Sequence, residues 1–144
     1  MTDAPQQPPT PARAKETFVF SPADGVPPQV GPFAHATRWG ELVFVTGQMP
    51  TDPATGRLVA GGLLEQAEQV RRNLSAVLAQ FSLTLDDALQ VRVYLTDFTD
   101  FDAFNDAYRG WFAGPLPART TVGVTGLAVG AVVEVDVVAA GPVA

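Results

Sequence analysis

The sequence contains no cysteine and only one histidine, His35. Disulfides, thiol nucleophiles and thiolate metal sites are therefore excluded. A metal site is not expected either, because one imidazole falls short of the nitrogen-and-sulfur ligand set that zinc usually takes. A lone histidine in a strand is more often a structural hydrogen-bonding residue than a general base, and we interpret His35 in that way.

Basic residues and long apolar runs are also scarce. Nine lysine and arginine residues stand against fifteen acidic ones, which gives a formal net charge of −6 over 144 residues. Nucleic-acid binding is not expected, because an acidic chain with scattered basic residues repels duplex nucleic acid on average. The apolar runs are far shorter than the roughly 20 residues that cross a bilayer, and the N-terminus lacks a secretory-signal pattern. These absences predict no membrane partner and a cytoplasmic location.

The first part of the chain differs in composition from the rest. Residues 1–15 are rich in Pro, Gln, Thr and Ala, and they predict a disordered N-terminal extension. Residues 16–144 suit a single domain, since this length buries most of the surface of the unfolded chain and the apolar content is normal for a globular core.

Hydrophobic periodicity predicts six strands and two helices of the α+β class. The predicted strands span 16–20, 34–38, 41–48, 91–95, 119–125 and 131–140, and the helices span 63–81 and 101–112. Aromatic residues recur at helical spacing in the second helix, which indicates core packing. Two amphipathic helices should cover one face of a single mixed sheet. Valines at 43, 45, 133, 135 and 137 would leave both faces apolar, so we expect homo-oligomerisation through the uncovered face.

One arginine and one glutamate stand out near the C-terminus, because both lie in apolar strand segments. Burying either ion without a partner costs several kcal/mol. If the last two strands form a hairpin, Arg119 and Glu134 reach the same region of the sheet. Spacing alone leaves two alternatives open. Arg119 could form a structural ion pair with Glu134 or Asp136, or it could bind a ligand carboxylate through two hydrogen bonds.

Several segments, taken together and in order, resemble the RidA (YjgF/YER057c/UK114) family. They are GPFAHA at 31–36, LVFVTGQMP at 42–50, DPATG at 52–56, VYLTD at 93–97, FNDAY at 104–108 and PARTTVGV at 117–124. The resemblance runs from about residue 18 to residue 140. It implies a chorismate-mutase-like fold, with a six-stranded mixed sheet and two helices on one face. It also implies a homotrimer with ligand pockets between neighbouring subunits.

The same resemblance implies an activity that needs no cofactor. This activity is the hydrolysis of 2-imino acids, or of 2-aminoacrylate-type enamines, to 2-keto acids and ammonia. Arg119 would hold the substrate carboxylate and Glu134 would position the attacking water. The other site residues that the resemblance implies are Phe33, Thr46, Gly47, Asn105 and Thr121. Many family members carry Tyr-Ser where this chain has Phe33-Ala34, and the lost phenolic hydroxyl leaves the preferred substrate open.

Three other functions remain open at this point. One is a non-catalytic, ligand-binding or chaperone-like trimer, although family members without the arginine lack the deaminase activity and the presence of Arg119 argues against this alternative. Another is a deaminase dedicated to a pathway intermediate such as 3-aminoacrylate or 2-aminomuconate. Ribonuclease activity is the least favoured, because the chain is acidic and has no pair of histidines.

Overall fold

The computed structural model describes residues 13–142, so residues 1–12 of the predicted extension and the last two residues lie outside the described part. The described chain forms six strands and two α-helices, in the order that the periodicity predicts. These are β1 (Glu16–Phe18), β2 (Ala36–Trp39), β3 (Leu42–Gln48), α1 (Leu63–Ala79), β4 (Ala88–Leu95), α2 (Phe101–Arg109), β5 (Ala118–Gly123) and β6 (Val133–Ala140).

The strands form one mixed sheet in the order β1-β2-β3-β6-β4-β5. Only β4 and β5 run parallel, and α2 is the crossover between them. The expected hairpin between the last two strands is wrong, because β6 lies between β3 and β4 while β5 lies at the edge. The physical reason is burial. Alternate residues of β6 are fully buried valines, which favour the centre of a sheet, whereas β5 is polar and half-exposed.

One face of the sheet packs against both helices and forms the core. The inward residues of the central strands are almost completely buried: Val43, Val45, Val91, Val93, Val133, Val135 and Val137. The expectation that such valines would make both faces apolar is therefore wrong, since alternation puts all of them on one face. The opposite face, called here the open face, is mixed and carries Phe44, Arg92, Tyr94, Glu134, Asp136 and Val138. Association through the open face stays a prediction.

Helix α1 fixes the end of β3. Its apolar stripe is buried, and Asn73 on the same side is fully buried as well. The Asn73 side chain donates hydrogen bonds to the carbonyl oxygens of Met49 and Thr51, at 3.0 and 2.9 Å. The chain leaving β3 is therefore attached to the helix layer.

A β-bulge interrupts the pairing of β3 with β6. Val45 faces Val137, and Gln48 then faces Val135, so β3 advances three residues while β6 advances two. The extra residue bends the strand locally, as bulges do next to many functional sites. Thr46 and Gly47 are the residues within this bulge.

Candidate functional site

Arg119 lies on edge strand β5 and points toward the helix layer. It pairs with Val91 of β4, whose side chain is in the core, so the two side chains share that face of the sheet. Its Nη2 donates a hydrogen bond of 2.8 Å to Oδ1 of Asn105 on α2. Its guanidinium carbon lies 4.7 Å from the centroid of the Tyr108 ring. These side chains line a cleft of about 310 Å³, called here the edge cleft, together with Arg109, Leu116 and Pro117.

No carboxylate within residues 13–142 forms a salt bridge with Arg119. The ion-pair alternative is thus wrong within the chain. Asp136 instead accepts hydrogen bonds from Nε of Arg92, at 2.8 Å, and from the hydroxyl of Tyr94, at 3.1 Å. A guanidinium has five N–H donors, and the single bond to Asn105 leaves others available to a ligand.

Glu134 lies on the open face, opposite Tyr94. Burial, with a smaller effect from the negative charge of Asp136, raises the pKa of Glu134. The absence of a side chain at Gly47 makes room for this carboxylate, since a Cβ there would lie 2.9 Å from Cδ of Glu134. A carboxylate whose pKa is raised is a stronger base once it is ionised, which suits it to accept a proton from water.

Thr46 and Gly47 line a second cleft, called here the open-face cleft, of about 360 Å³. The backbone N–H of Thr46 donates a hydrogen bond to the carbonyl oxygen of His35, which holds the bulge against the segment just before β2 of the same chain. Phe33 is 38% exposed and shares a small cavity of about 20 Å³ with Gly47. Gly47 therefore lies next to the other three predicted residues of this region, which are Phe33, Thr46 and Glu134.

Thr121 belongs with Arg119 and not with the open-face cleft. It follows Arg119 by two residues on β5 and pairs with the buried Val93, so it shares the helix-facing side. Its hydroxyl is buried and has no hydrogen-bond partner among the described residues. The predicted site residues thus fall into two clusters, with Asn105, Arg119 and Thr121 in the second.

The two clusters cannot meet within one chain. Glu134 pairs with Tyr94 of β4, and Tyr94 pairs with Val122 of β5. The backbone positions of Glu134 and Val122 are therefore two strand spacings apart, or about 10 Å. Arg119 lies three residues further along β5, which adds about 10 Å in the strand direction. The two side chains also leave opposite faces of the sheet.

Residues 25–141 match the protein family described as Endoribonuclease L-PSP, which is the YjgF/RidA family. The chain belongs to the RidA family. The resemblance stated from its motifs is thereby confirmed.

Individual relatives of this RidA family chain agree in sequence and fold. Protein DfrA of Myxococcus xanthus is 40% identical over 119 residues, which cover 81% of the chain and 91% of DfrA. The mouse protein named 2-iminobutanoate/2-iminopropanoate deaminase is 34% identical over 113 residues, or 78% of the chain and 84% of the mouse protein. The crystal structure of RidA from an Antarctic Psychrobacter is 33% identical with a TM-score of 0.81, covering 88% and 99% of the two chains.

His35 has a structural role in this RidA family chain, as the sequence indicates. Its Nδ1 accepts a hydrogen bond of 2.9 Å from the N–H of Phe20, and its Nε2 lies 2.8 Å from the carbonyl oxygen of Pro27. The backbone N–H can only donate and the carbonyl can only accept, so the proton lies on Nε2. Both ring nitrogens are committed to the backbone.

Sequence reasoning missed the contact between Tyr108 and Arg119, because the aromatic residues of α2 indicated only core packing. A signal was nevertheless present. Tyr108 follows Asn105 by three residues and Phe101 precedes Asn105 by four, which places all three on one helix face. An amide predicted to be functional therefore shares its helix face with two aromatic rings.

Neither a metal cluster nor a membrane-spanning helix occurs in the part of the chain that the structure describes. No group of three or more His, Cys, Asp and Glu residues there is arranged to hold a metal ion. No helix within residues 13–142 combines the length and the apolarity needed to cross a membrane.

Proposed function

We propose that this RidA family protein hydrolyses 2-imino acids, and their enamine tautomers, to 2-keto acids and ammonia. The observation that carries the proposal is the state of Arg119, a half-buried guanidinium with an amide contact but no carboxylate partner among the described residues. Such a cation matches a ligand carboxylate in charge and geometry. The deaminase names of relatives about 34% identical support the same reaction class.

The reaction needs few groups from the protein. A protonated imine is already electrophilic at C2, so a positioned water and a base can suffice. Ionised Glu134 accepts a proton from water as the oxygen bonds to C2, which gives a tetrahedral carbinolamine. Return of that proton to the nitrogen allows the C–N bond to break, and loss of the hydroxyl proton leaves the keto acid and ammonium. Water is the only co-reactant.

The site is proposed to form between two copies of the chain in a homotrimer. The edge cleft supplies Arg119 and Asn105, with Thr121 beside Arg119 on β5. The open-face cleft of a second copy supplies Thr46 and Gly47, with Glu134 next to Gly47. The opposite placement of the two clusters in one chain supports this arrangement. The mixed open face also offers Phe44, which is 43% exposed, as apolar surface for the contact between copies.

A mixing experiment tests both the residues and the shared site. Arg119→Ala and Glu134→Gln are each purified and assayed beside an amino-acid oxidase that generates the imine. Each variant alone should be nearly inactive. After the two are unfolded together and refolded, random mixing should restore about one quarter of the parental activity, because one site in four receives an intact Arg119 and an intact Glu134.

Each variant refolded alone is the control. A mixture as inactive as its components would contradict the shared site, and an Arg119→Ala variant as fast as the parent would contradict the proposed function. The non-catalytic alternative predicts binding of a 2-keto acid without release of ammonia from any imine. Comparing the release of ammonia from the imines of alanine and 2-aminobutyrate with that from separately supplied 3-aminoacrylate and 2-aminomuconate shows which substrate the protein prefers.

The ribonuclease alternative, which the family description suggests, receives no support from His35. This is the only histidine, and both of its ring nitrogens are bonded to the backbone. It is therefore not available as an acid or base for cleavage of RNA.

A further inference from the structure

The surroundings of Arg119 are aromatic. Its guanidinium carbon lies 4.7 Å from the ring centroid of Tyr108 and 5.8 Å from those of Phe101 and Phe104. All three rings belong to α2, and Asn105 on the same helix provides the only side-chain hydrogen bond of Arg119 among residues 13–142. We call these three rings the aromatic cage.

A half-buried cation needs compensation for the water that it loses, and a carboxylate is the usual partner. Aromatic faces offer another solution, because each carries a negative electrostatic potential that attracts the cation. The two solutions differ in what remains for a ligand. A carboxylate would neutralise the charge and occupy two N–H groups, whereas ring faces leave the net charge and most of the N–H groups of Arg119 unused.

Tyr108 is the central ring of the cage. It is the nearest to Arg119, it is only 5% exposed, and it packs against Phe104, Trp111 and Phe112 at centroid distances of 5.0 to 6.0 Å. Burial raises the pKa of Tyr108 to about 12, although the charge of Arg119 opposes this, so the phenol is neutral under ordinary conditions. The hydroxyl has no hydrogen-bond partner among the described residues. Tyr108 therefore acts on Arg119 through its ring.

We propose that Tyr108 is a positioning residue for Arg119, and that its ring holds the guanidinium in place while leaving the charge available to a substrate carboxylate. This inference rests on the proposed function, because it assumes that Arg119 binds the carboxylate. It assigns to the aromatic stripe of α2 a role in affinity as well as in core packing.

The test compares Tyr108→Leu with Phe112→Leu. Phe112 packs against Tyr108 at 5.0 Å, but its ring is not one of those that face Arg119. Both variants should lose thermal stability, whereas only Tyr108→Leu should raise the KM for imine and the Kd for 2-oxobutanoate, by about tenfold with kcat changed much less. Tyr108→Phe keeps the ring and should retain the parental KM.

An unchanged KM in Tyr108→Leu, or an equal rise in Phe112→Leu, would overturn the inference. If Tyr108→Leu does not fold, Phe101→Leu removes a more exposed ring of the cage and should raise KM in the same direction. A parental KM in that variant would count against the cage equally.

A measurement without ligand separates this inference from the proposed function. The Nε–H resonance of Arg119, identified by its loss in Arg119→Ala, should exchange slowly with water in the parent and in Tyr108→Phe, and rapidly in Tyr108→Leu. Unchanged exchange in Tyr108→Leu would overturn the positioning role even in a protein that binds no 2-keto acid. Equal binding of 2-oxobutanoate by the parent and Arg119→Ala would instead overturn the proposed function.

Discussion

Two arginines of this chain lie against aromatic rings near opposite ends of the sheet, and their partners differ. Arg38 of β2 lies 5.4 Å from the ring of Phe18 and 5.9 Å from that of Phe81, and it forms a 2.8 Å salt bridge with Glu16. Arg119 of β5 has the aromatic rings but no carboxylate within the described chain. Aromatic packing therefore also occurs around an arginine with a structural salt bridge, and an unneutralised charge is what distinguishes Arg119, the arginine that we propose to be functional.

The glutamates differ in the same way. Glu16 is paired with Arg38 on a neighbouring strand, whereas Glu134 has no salt-bridge partner within residues 13–142 and its pKa is raised. The Arg38–Glu16 ion pair is formed within the chain and joins β1 to β2. The charges of Arg119 and Glu134 are kept apart within the chain, and we propose that they face one substrate from two copies of the chain.

Removing each arginine should give the largest contrast. Arg119→Ala should lower kcat/KM for imine hydrolysis by about 1,000-fold, because truncating one side of a desolvated charge pair costs several kcal/mol. Arg38→Ala should leave kcat/KM within about twofold, since Arg38 already has a carboxylate partner. The coupled assay measures both. An equal loss of kcat/KM in the two variants would contradict the different roles assigned to Arg119 and Arg38.

Glu134→Gln should lower kcat by about 100-fold, because the amide cannot accept the proton of the attacking water. In the parent, activity should fall as the pH drops through the raised pKa of Glu134, since the protonated carboxyl is no base. A pH profile of kcat between acid and neutral conditions measures this. The same profile should be flat in this region for the residual activity of Glu134→Gln.

The same variant should be more stable than the parent at neutral pH. The pKa of Glu134 is raised above its ordinary value of 4.5, so its contribution to stability is complete below that value and is lost as the pH rises through the raised pKa. Glutamine has no such loss. The stability advantage of Glu134→Gln should therefore grow with pH over this window and then level off, as urea unfolding at one fixed protein concentration would measure. An advantage that is largest in acid would contradict the assigned direction.

Gly47→Ala should lower kcat/KM by about tenfold with little change in stability. The added Cβ would lie 2.9 Å from Cδ of Glu134, and the flexible carboxylate can move away at low cost but then no longer positions water. Gly126→Ala is the matched control, because a Cβ at Gly126 would meet nothing within 4 Å. Comparable losses in the two alanine variants would refute the steric explanation.

Glu16→Gln should have the smallest effect. It removes the salt bridge to Arg38, whose aromatic contacts remain, and exposed ion pairs contribute about 0.2–1 kcal/mol. The free energy of unfolding should therefore fall by less than about 1 kcal/mol, with no change in kcat/KM. Added salt should shrink the difference between variant and parent, because it screens an exposed pair.

Local sequence pattern predicted the helices and strands of this fold better than it predicted which strands pair in the sheet. The period of α1 and the alternation of Glu134 with buried valines in β6 follow from short-range geometry, and both are confirmed. The insertion of β6 between β3 and β4 depends on which strands bury the most apolar surface together, which no single segment contains. The error mattered, because a hairpin would have put Arg119 beside Glu134.

The candidate site shows the same limit. Motif resemblance selected residues in both clefts, and Arg119 forms a hydrogen bond with Asn105, another of the selected residues. The spacing of Tyr108 on α2 could not reveal that its ring faces a cation, because Arg119 arrives from a strand that is distant in sequence. Contacts between distant segments depend on tertiary packing and not on local periodicity.

The parallel pairing of β4 with β5 has a consequence for how this protein would be switched on and off. The crossover through α2 carries Arg119 to the far edge and the other face from Glu134, so an isolated chain would have no complete site if the site is shared as proposed. Specific activity would then depend on protein concentration, and it would fall progressively on dilution below the dissociation constant of the assembly. Synthesis of a first few copies would give no turnover until enough chains had accumulated to associate.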